Sequence, residues 1–568
     1  MRREWVIHPP HPAAGHLADD LGIPPLIAEL VAGRGMTTPD AARQFFANDL
    51  RDLSDPGRFL DMDRAVDRLE QALARRERIC VVSDYDVDGL TSTALLVRVL
   101  TDLGGHLITY VPHRVKDGYG FSQKAVEYAQ QQGASVIITV DSGSTAHEPL
   151  AAARAAGLDV IVVDHHEMAH VDRPPAYALI NPLQEGCGSP DKDLASVGLA
   201  FKLAQALLMR RDRAAAWDHL DLVCLGTVAD VAPLRGENRI LVHHGLQQLG
   251  QTAKVGLRAL MDVAELRTRT LTTEHVGFIL GPRINAAGRM NAPDTALKLL
   301  LTDDRDEARQ LAAQLHEENR QRQQVEAVTL REAVAKVDRD VNFAQERVIV
   351  VHGDGWHPGV IGIVASRLVE RYHRPSIVVT VTDGVGKGSA RSIHRFHLVE
   401  ALAECKQTML GFGGHEAAAG LTITAAQLPV FREAINAVAA QRMAPEHLVP
   451  QLTIDAEVPL AALTPELMTQ LERLAPCGAG NPTPVFASRQ LTFRAPPQPA
   501  GRTGLRCWVR QSEGPCLEAV GYDRADRWRD RLAGATQPFA LAYTPVRRRT
   551  EGIETIQLQI KDVREAGP

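Results

Sequence analysis

Three short runs of apolar, β-branched residues each stop at an acidic residue, and that recurrence restricts the fold more than any other feature of the chain. Ile79-Cys80-Val81-Val82 runs into Ser83-Asp84-Tyr85-Asp86-Val87-Asp88-Gly89. Val136-Ile137-Ile138-Thr139-Val140 runs into Asp141-Ser142-Gly143, and Val160-Ile161-Val162-Val163 into Asp164-His165-His166. Continuous runs of this kind mark strands buried on both faces. Helical patterns separate them: Thr91 to Leu103, Ser122 to Gln132 and Thr145 to Ala156. Strand alternating with helix predicts a parallel sheet with crossover helices. Ligands of such sheets bind beyond the carboxyl ends of the strands. A fourth apolar segment, Val223 to Ala229, ends at Asp230.

Asp84, Asp86 and Asp88 place three carboxylates within five residues. Such charges repel one another unless a cation sits among them. A calcium-binding EF-hand opens in the same way, but it needs a Glu at loop position twelve. Counted from Asp84 that position is Leu95, and a strand rather than a helix leads in. For Asp141 alone, a helix cap and a metal ligand fit equally. Several strands ending in acids or imidazoles favour the metal. An oxygen-rich set with one or two histidines suits Mg²⁺ or Mn²⁺ better than a structural zinc.

At 568 residues the chain exceeds one core, and three or four domains are expected. Its net charge of −6 confines any nucleic-acid contact to a local groove or pocket. The seven cysteines are scattered without Cys-x-x-Cys spacing, so neither a zinc knuckle nor a disulfide framework is indicated. Met1-Arg2-Arg3-Glu4-Trp5 lacks the apolar core of a signal peptide, and no stretch approaches a bilayer span. A cytoplasmic location without a membrane is expected.

From Asp303 to Asp338 there is almost no Gly or Pro, which predicts a long charged helix connecting two α/β regions. The second region starts at Arg347-Val348-Ile349-Val350-Val351-His352, with Ser376 to Val381 as its next strand. Gly386-Lys387-Gly388-Ser389 resembles a phosphate loop but lacks the Walker spacing. Gly413-Gly414-His415 lets a backbone approach a ligand closely, or makes a tight turn at a helix start. Beyond about residue 450, short alternating strands predict a small barrel. Trp508 beside Arg506 and Arg510, and Tyr543 before Arg547-Arg548-Arg549, fit a surface that stacks on single-stranded bases. Barrel core fits Trp508 equally well. Arg547 to Arg549 is expected in a solvated hairpin loop.

In this order, Asp84 to Gly89, Asp141-Ser142-Gly143, Asp164-His165-His166, Gly226-Thr227-Val228-Ala229-Asp230 and Gly413-Gly414-His415 resemble the DHH phosphoesterase superfamily with its DHHA1-type second domain. Val111-Pro112-His113-Arg114 with Asp117-Gly118-Tyr119-Gly120, and Gly281-Pro282-Arg283-Ile284-Asn285-Ala286-Ala287-Gly288-Arg289, resemble its RecJ branch. The resemblance covers nearly the whole chain. It implies an N-terminal segment (1–60), a DHH catalytic domain (61–300), a connecting helix (301–345), a DHHA1 substrate-binding domain (346–445) and an OB-fold-like domain (446–568).

The resemblance further implies a single-strand-specific exonuclease. It would degrade DNA 5′→3′ to 5′-mononucleotides by two-metal hydrolysis, in recombination and repair. Two ions, Mn²⁺ or Mg²⁺, are implied. Asp88, Asp141, His165 and Asp230 would hold one, Asp84 and Asp86 the other, with Asp141 bridging. His166 would donate to developing charge, with Asp164 orienting the histidines. Arg114, Arg283, Ser389 and Arg391 would bind a terminal 5′-phosphate, and Arg289, Gly414 and His415 the strand. Arg289 and Arg391 also fit structural ion pairs. A strand threaded between the two α/β domains would exclude duplex. Single-stranded DNA, a single-strand-binding protein and a helicase are the implied partners. A small-molecule DHH phosphodiesterase would share the metal site without the barrel or the arginine motifs. A catalytically dead scaffold would have lost its metal carboxylates.

Overall fold

Strand β1 (Arg78–Val82) lies inside a five-stranded sheet with β2 (His106–Tyr110), β3 (Val136–Val140), β4 (Asp159–Val163) and β5 (Ala178–Ile180). All pairings are parallel and the spatial order is 2-1-3-4-5. The direction of winding therefore reverses between β1 and β3. That reversal opens a crevice at the strands' carboxyl ends, the ligand-binding position of doubly wound sheets. Every residue of β3 is buried, as its unbroken apolar run requires. The structure is a computed structural model. It describes residues 3–113, 120–168, 172–211, 216–266, 270–290, 293–500, 504–512, 514–522, 528, 538–550 and 553–565.

The chain falls into two compact units. One comprises Trp5–Gly281, Leu297–Ala308 and Leu452–Pro568, so the parallel sheet and the C-terminal strands share a unit. Its helices include α1 (Val87–Asp102), α2 (Ser196–Met209) and α3 (Leu220–Ala229). In α1 every residue from Val87 to Leu96 is buried, on all sides of the helix. Lys202 on α2 is fully buried, donates to the Ser54 carbonyl at 2.6 Å, and pairs with Glu237 at 2.6 Å. Arg239 spends its guanidinium on the carbonyls of Phe45, Arg473, Leu474, Ala475 and Pro476, clasping the approach to the C-terminal strands.

The other unit comprises Met1–Glu4, Pro282–Ala296 and Arg309–Gln451. The predicted long helix is a single element, Arg305–Asp340. Ala333 and Val337 near its end pack with Ile349, Val351 and Trp356. The sheet here contains β6 (Ile349–Asp354), β7 (Ser376–Thr382), β8 (Val385–Arg391), β9 (Gly411–Gly414) and β10 (Ala418–Thr424), in the order 9-10-8-7-6. Lys387 and Ser389 lie inside β8 rather than in a loop, which removes the phosphate-loop reading. Gly413 and Gly414 end β9 and lead into the turn before β10, not into a helix.

In the first unit the C-terminal strands are β11 (Phe486–Ala500), β12 (Gly504–Gln511), β13 (Leu517–Gly521), β14 (Phe539–Thr550) and β15 (Ile553–Glu565). They pair in the order 11-12-13-15-14, and β14 pairs again with β11, closing a barrel. Closure removes free sheet edges. Leu17, Ile27, Leu30 and Phe45 of the N-terminal helices share the barrel's core with Phe486, Leu541 and Leu558. Two expectations fail here. Tyr543 is fully buried with its hydroxyl 2.8 Å from Ser488 Oγ, so it is core and not a stacking surface. Arg547 lies within β14, where it donates to Glu554 and Thr469, so it is not in a solvated loop.

Candidate metal centre

The crevice is built by chain segments that leave the strands and turn at once. After β1, Asp86 caps α1, accepting from the amides of Asp88 at 3.0 Å and Gly89 at 3.2 Å. A Cβ at Gly89 would stand 2.8 Å from the Asp84 nitrogen, so only glycine allows the chain to fold back this tightly. Asp88 falls in the first turn of α1 and is 1% exposed. Its oxygens accept from the amides of Ser196 and Val197, both at 2.8 Å, at the start of α2. After β3, Asp141 adopts a left-handed φ of 60°, rare for a residue with a Cβ. Its Oδ1 accepts from Ser196 Oγ at 3.0 Å. It caps no helix, since the next one begins at His147.

After β4, Asp164 accepts from four donors: the amides of Ser144 (2.9 Å), His165 (2.8 Å) and His166 (3.2 Å), and His166 Nδ1 (2.7 Å). Burial opposes its charge, but the His166 hydrogen bond and charge, with the amides, outweigh burial and hold its carboxyl well below the usual carboxylate range. For His166, burial is outweighed by the Asp164 hydrogen bond and the charges of Asp164, Asp230 and Asp88, which push it up to about 9. His165 goes the other way: burial, then the neighbouring His166 charge, pull it down to about 4. One imidazole is thus kept neutral and the other charged.

Three groups of ligand atoms converge, each within 4.8 Å: Asp84–Asp86–Asp141, Asp88–His165–Asp230 and Asp141–His165–His166. Asp141 belongs to two of them. His165 Nε2 lies 3.3 Å from Asp141 Oδ1 and 3.9 Å from Asp230 Oδ2, buried and without a hydrogen bond of good geometry. Burial, and then the charge of Asp86, push Asp88 up to about 7. Burial, then Asp88 and Asp86, push Asp230 up to about 9. Asp141 is raised well above the carboxylate range by burial and then by Asp86, Asp88, Asp84 and Asp230. Buried acids this crowded call for protons or cations among them. The donor set is oxygen-rich with imidazole, so it fits the implied divalent ions.

Some contributors escape a reading of motifs. Ser144, Asn181, Ser196 and Val197 hold the ligands without being ligands. Asn181 Nδ2 donates to Ser144 Oγ and to the His166 carbonyl, both at 2.9 Å. Only the small Ala195-Ser196-Val197-Gly198 run before an apolar helix hints at the α2 start. A Cβ on Gly226 of α3 would collide with Thr91 Oγ1 and approach Asp88 Oδ1 to 3.0 Å.

The residues expected to bind substrate are more dispersed. Arg114 lies outside the described residues. Arg283 is half-buried near the start of helix Gly281–Arg289. Its Nε and Nη2 both stand 3.4 Å from His316 Nδ1. Arg289 donates to the Gly359 carbonyl at 3.3 Å. Arg391 donates to Ser389 Oγ at 3.2 Å and to the Ala390 carbonyl at 2.8 Å. Ser389 and Arg391 overlie the first turn of helix Ile361–Tyr372, because a Cβ on Gly362 would stand 3.0 Å from Ser389 Oγ and 3.1 Å from Arg391 Nη2. Gly414 and His415 are exposed, with the His415 amide bonded to the Ala418 carbonyl. Leu505, Cys507 and Val509 are buried while Arg506 and Arg510 are exposed. Half-buried Trp508 therefore shares the outward face of β12 with the two arginines, not the barrel core.

Comparison with known proteins agrees with this architecture. Residues 78–227 match the DHH family N-terminal domain, 341–441 the DHHA1 domain and 454–562 the RecJ OB domain. The single-stranded-DNA-specific exonuclease RecJ of Dickeya dadantii (strain 3937) is 36% identical over 564 residues, covering 95% of this chain and 96% of its own. That of Bacillus subtilis (strain 168) is 37% identical over 529 residues, covering 92% of this chain, which spans 66% of that relative's length. RecJ from Thermus thermophilus, solved in complex with Mn²⁺, superposes with a TM-score of 0.85 at 31% identity, covering 100% of this chain and 80% of its own. It has also been solved with Mg²⁺. With the metal crevice, the second α/β sheet and the closed barrel all matched, the chain belongs to the RecJ family of DHH proteins.

Proposed function

We propose that this chain is a metal-dependent exonuclease that degrades single-stranded DNA from the 5′ end to 5′-mononucleotides, serving recombination and repair. The observation that carries the reading is the convergence of Asp84, Asp86, Asp88, Asp141, His165 and Asp230 at the strand-order reversal of the sheet. Asp88, Asp141, His165 and Asp230 would hold one Mn²⁺ or Mg²⁺, and Asp84, Asp86 and Asp141 the other. Two such ions lower the pKa of a bound water and steady the attacking and leaving oxygens of a phosphodiester. His165, kept neutral, offers Nε2 as a donor atom. His166, kept protonated by Asp164 on Nδ1, presents its other N–H to charge developing on the phosphate. Asp164 positions it.

Arg114, Arg283, Ser389 and Arg391 would recognise the terminal 5′-phosphate, which carries more charge than an internal phosphate and suits a guanidinium fork. Arg289, Gly414 and His415 would contact the strand. Trp508, between Arg506 and Arg510, would stack on a base in the barrel region. Among the described residues no helix is long and apolar enough to cross a membrane. We assign a cytoplasmic location, with a single-strand-binding protein and a helicase as partners. End-labelled oligonucleotides with Mn²⁺ or Mg²⁺ test the reading. Early release of 5′-mononucleotide from single strand, and not from blunt duplex, is the expected result. Hydrolysis confined to short oligoribonucleotides or cyclic dinucleotides would overturn the substrate assignment.

A further inference from the structure

One aromatic ring beside the metal crevice has no part in the core. Phe278 is 80% exposed, the most exposed of the large hydrophobic residues described. It stands on a π-helical turn, Val276–Leu280, in which the Gly281 amide reaches back to the Val276 carbonyl. Such a turn carries one residue more than an α-turn and is frequent at functional sites.

The turn is seated on the residues that carry the metal ligands. A Cβ on Gly277 would touch Val228 Cγ1 at 3.8 Å, and one on Gly281 would lie 3.3 Å from Ala229 Cβ and 4.0 Å from Val87 Cγ2. Ala229 immediately precedes Asp230, and Val87 lies between Asp86 and Asp88. The glycine face thus rests against both acid-bearing segments, and Phe278, next to Gly277, is left exposed. Val231, directly after Asp230, is a second apolar exposure. It is 68% exposed and held at a left-handed φ of 63°, a costly conformation for a β-branched residue.

We propose that Phe278 is the platform on which a nucleobase of the single strand stacks next to the scissile phosphate. Resting on the exonuclease reading above, this assigns a positioning residue for that substrate. A single exposed ring is too small for a protein-docking patch, which normally covers several hundred Å². One exposed ring beside phosphodiester chemistry suits a planar base, which stacks on it in any sequence. A metal centre binds the backbone without fixing which phosphodiester lies over it. A stacked base would hold the strand in the register that the terminal phosphate sets.

The test compares an intact 5′-phosphorylated oligodeoxynucleotide with oligomers abasic at the first, second or third nucleotide. Expected is a KM rise on the order of tenfold for F278A on the intact strand. The same variant should show no further loss at one abasic position, while wild type loses there by the same factor and F278W behaves as wild type. A merely structural role would lower activity equally on intact and abasic strands. That outcome, or an unchanged KM for F278A, would overturn the proposal. Preserved nuclease activity with lost binding of a protein partner would assign the ring to protein docking instead, and likewise overturn it. Wild-type enzyme inert on every DNA strand would sink the exonuclease reading itself, a separate failure.

Discussion

The carboxylates of the crevice and the arginines of the second sheet's unit are held by different means. In the crevice, acids crowd against one another and are steadied by backbone amides: Ser196 and Val197 on Asp88, Ser144 on Asp164. In the other unit, the contacts of the arginines include neutral acceptors: the Gly359 carbonyl for Arg289, Ser389 Oγ and the Ala390 carbonyl for Arg391, and His316 Nδ1 for Arg283. Amides and carbonyls orient a charge without neutralising it. The contrast lies in cost. A buried carboxylate cluster is unstable until cations arrive, whereas a half-exposed guanidinium is tolerated in water. The crevice should therefore respond to metal in stability as well as activity, and the arginines only in substrate choice.

Asp141→Ala tests the first half most severely. Losing the acid shared by two ligand groups should lower Mn²⁺-dependent cleavage on the order of 10³-fold or more. Fluorescence anisotropy should show single-strand binding within a few-fold of wild type. Retained cleavage would break the two-metal assignment. Asp164→Asn is the next largest. It removes the negative charge that keeps His166 protonated and replaces one acceptor oxygen with an NH2 donor, so kcat should fall about 10²-fold with little change in metal affinity by titration calorimetry. A loss of metal affinity instead would make Asp164 part of the ligand set.

Stability sharpens the comparison further. Asp88 and Asp230 have folded-state pKa values raised to about 7 and about 9. The native state then holds protons that the unfolded chain has lost, so their contribution declines as pH rises from the ordinary carboxylate value through 7 to 9. In EDTA, the melting temperature contributed by this unit should fall from pH 5 to pH 8. Mn²⁺ should raise it most at pH 8, because the cation replaces the missing protons. Burial also pulls His219 down to about 4, which works in the opposite sense below pH 6.5. His219→Gln would therefore steepen the fall between pH 5 and 6.5. A metal-free melting temperature that rises steadily from pH 5 to 8 would contradict the crowding argument.

How legible each region is in the sequence follows the same division. Asp84, Asp88, Asp141 and Asp164 sit at strand ends or the turn after one, so short apolar runs locate them and the parallel order brings them together. The helices between are anticipated within a few residues; α1 starts at Val87 rather than Thr91, because Asp86 caps it. Ser196 and Asn181 are invisible, since a hydroxyl or amide that holds a ligand through one hydrogen bond leaves no local pattern. Tyr543 misleads because an aromatic near a basic run looks the same whether its hydroxyl meets water or Ser488. Trp508 can be placed only once the alternation of β12 is known. Arg283 and His316 lie far apart in sequence, and no periodicity connects a short helix to one turn of a long one.

That last pair carries the smallest expected effect. Both Nε and Nη2 of Arg283 face His316 Nδ1, so the imidazole helps to fix the plane of the guanidinium. At 3.4 Å these are weak hydrogen bonds, and their loss should cost about 1 kcal/mol or less of orientation. His316→Leu should therefore reduce the preference for 5′-phosphorylated over 5′-hydroxyl ends by about two- to fivefold in kcat/KM. Arg283→Ala should abolish its share of that preference, and His316→Gln, which retains an acceptor, should restore part of it. If Arg283→Ala shifts the end preference and His316→Leu does not, the arginine binds the terminal phosphate unaided. If neither shifts it, the terminal phosphate is read elsewhere, and the contact between Arg283 and His316 serves packing alone.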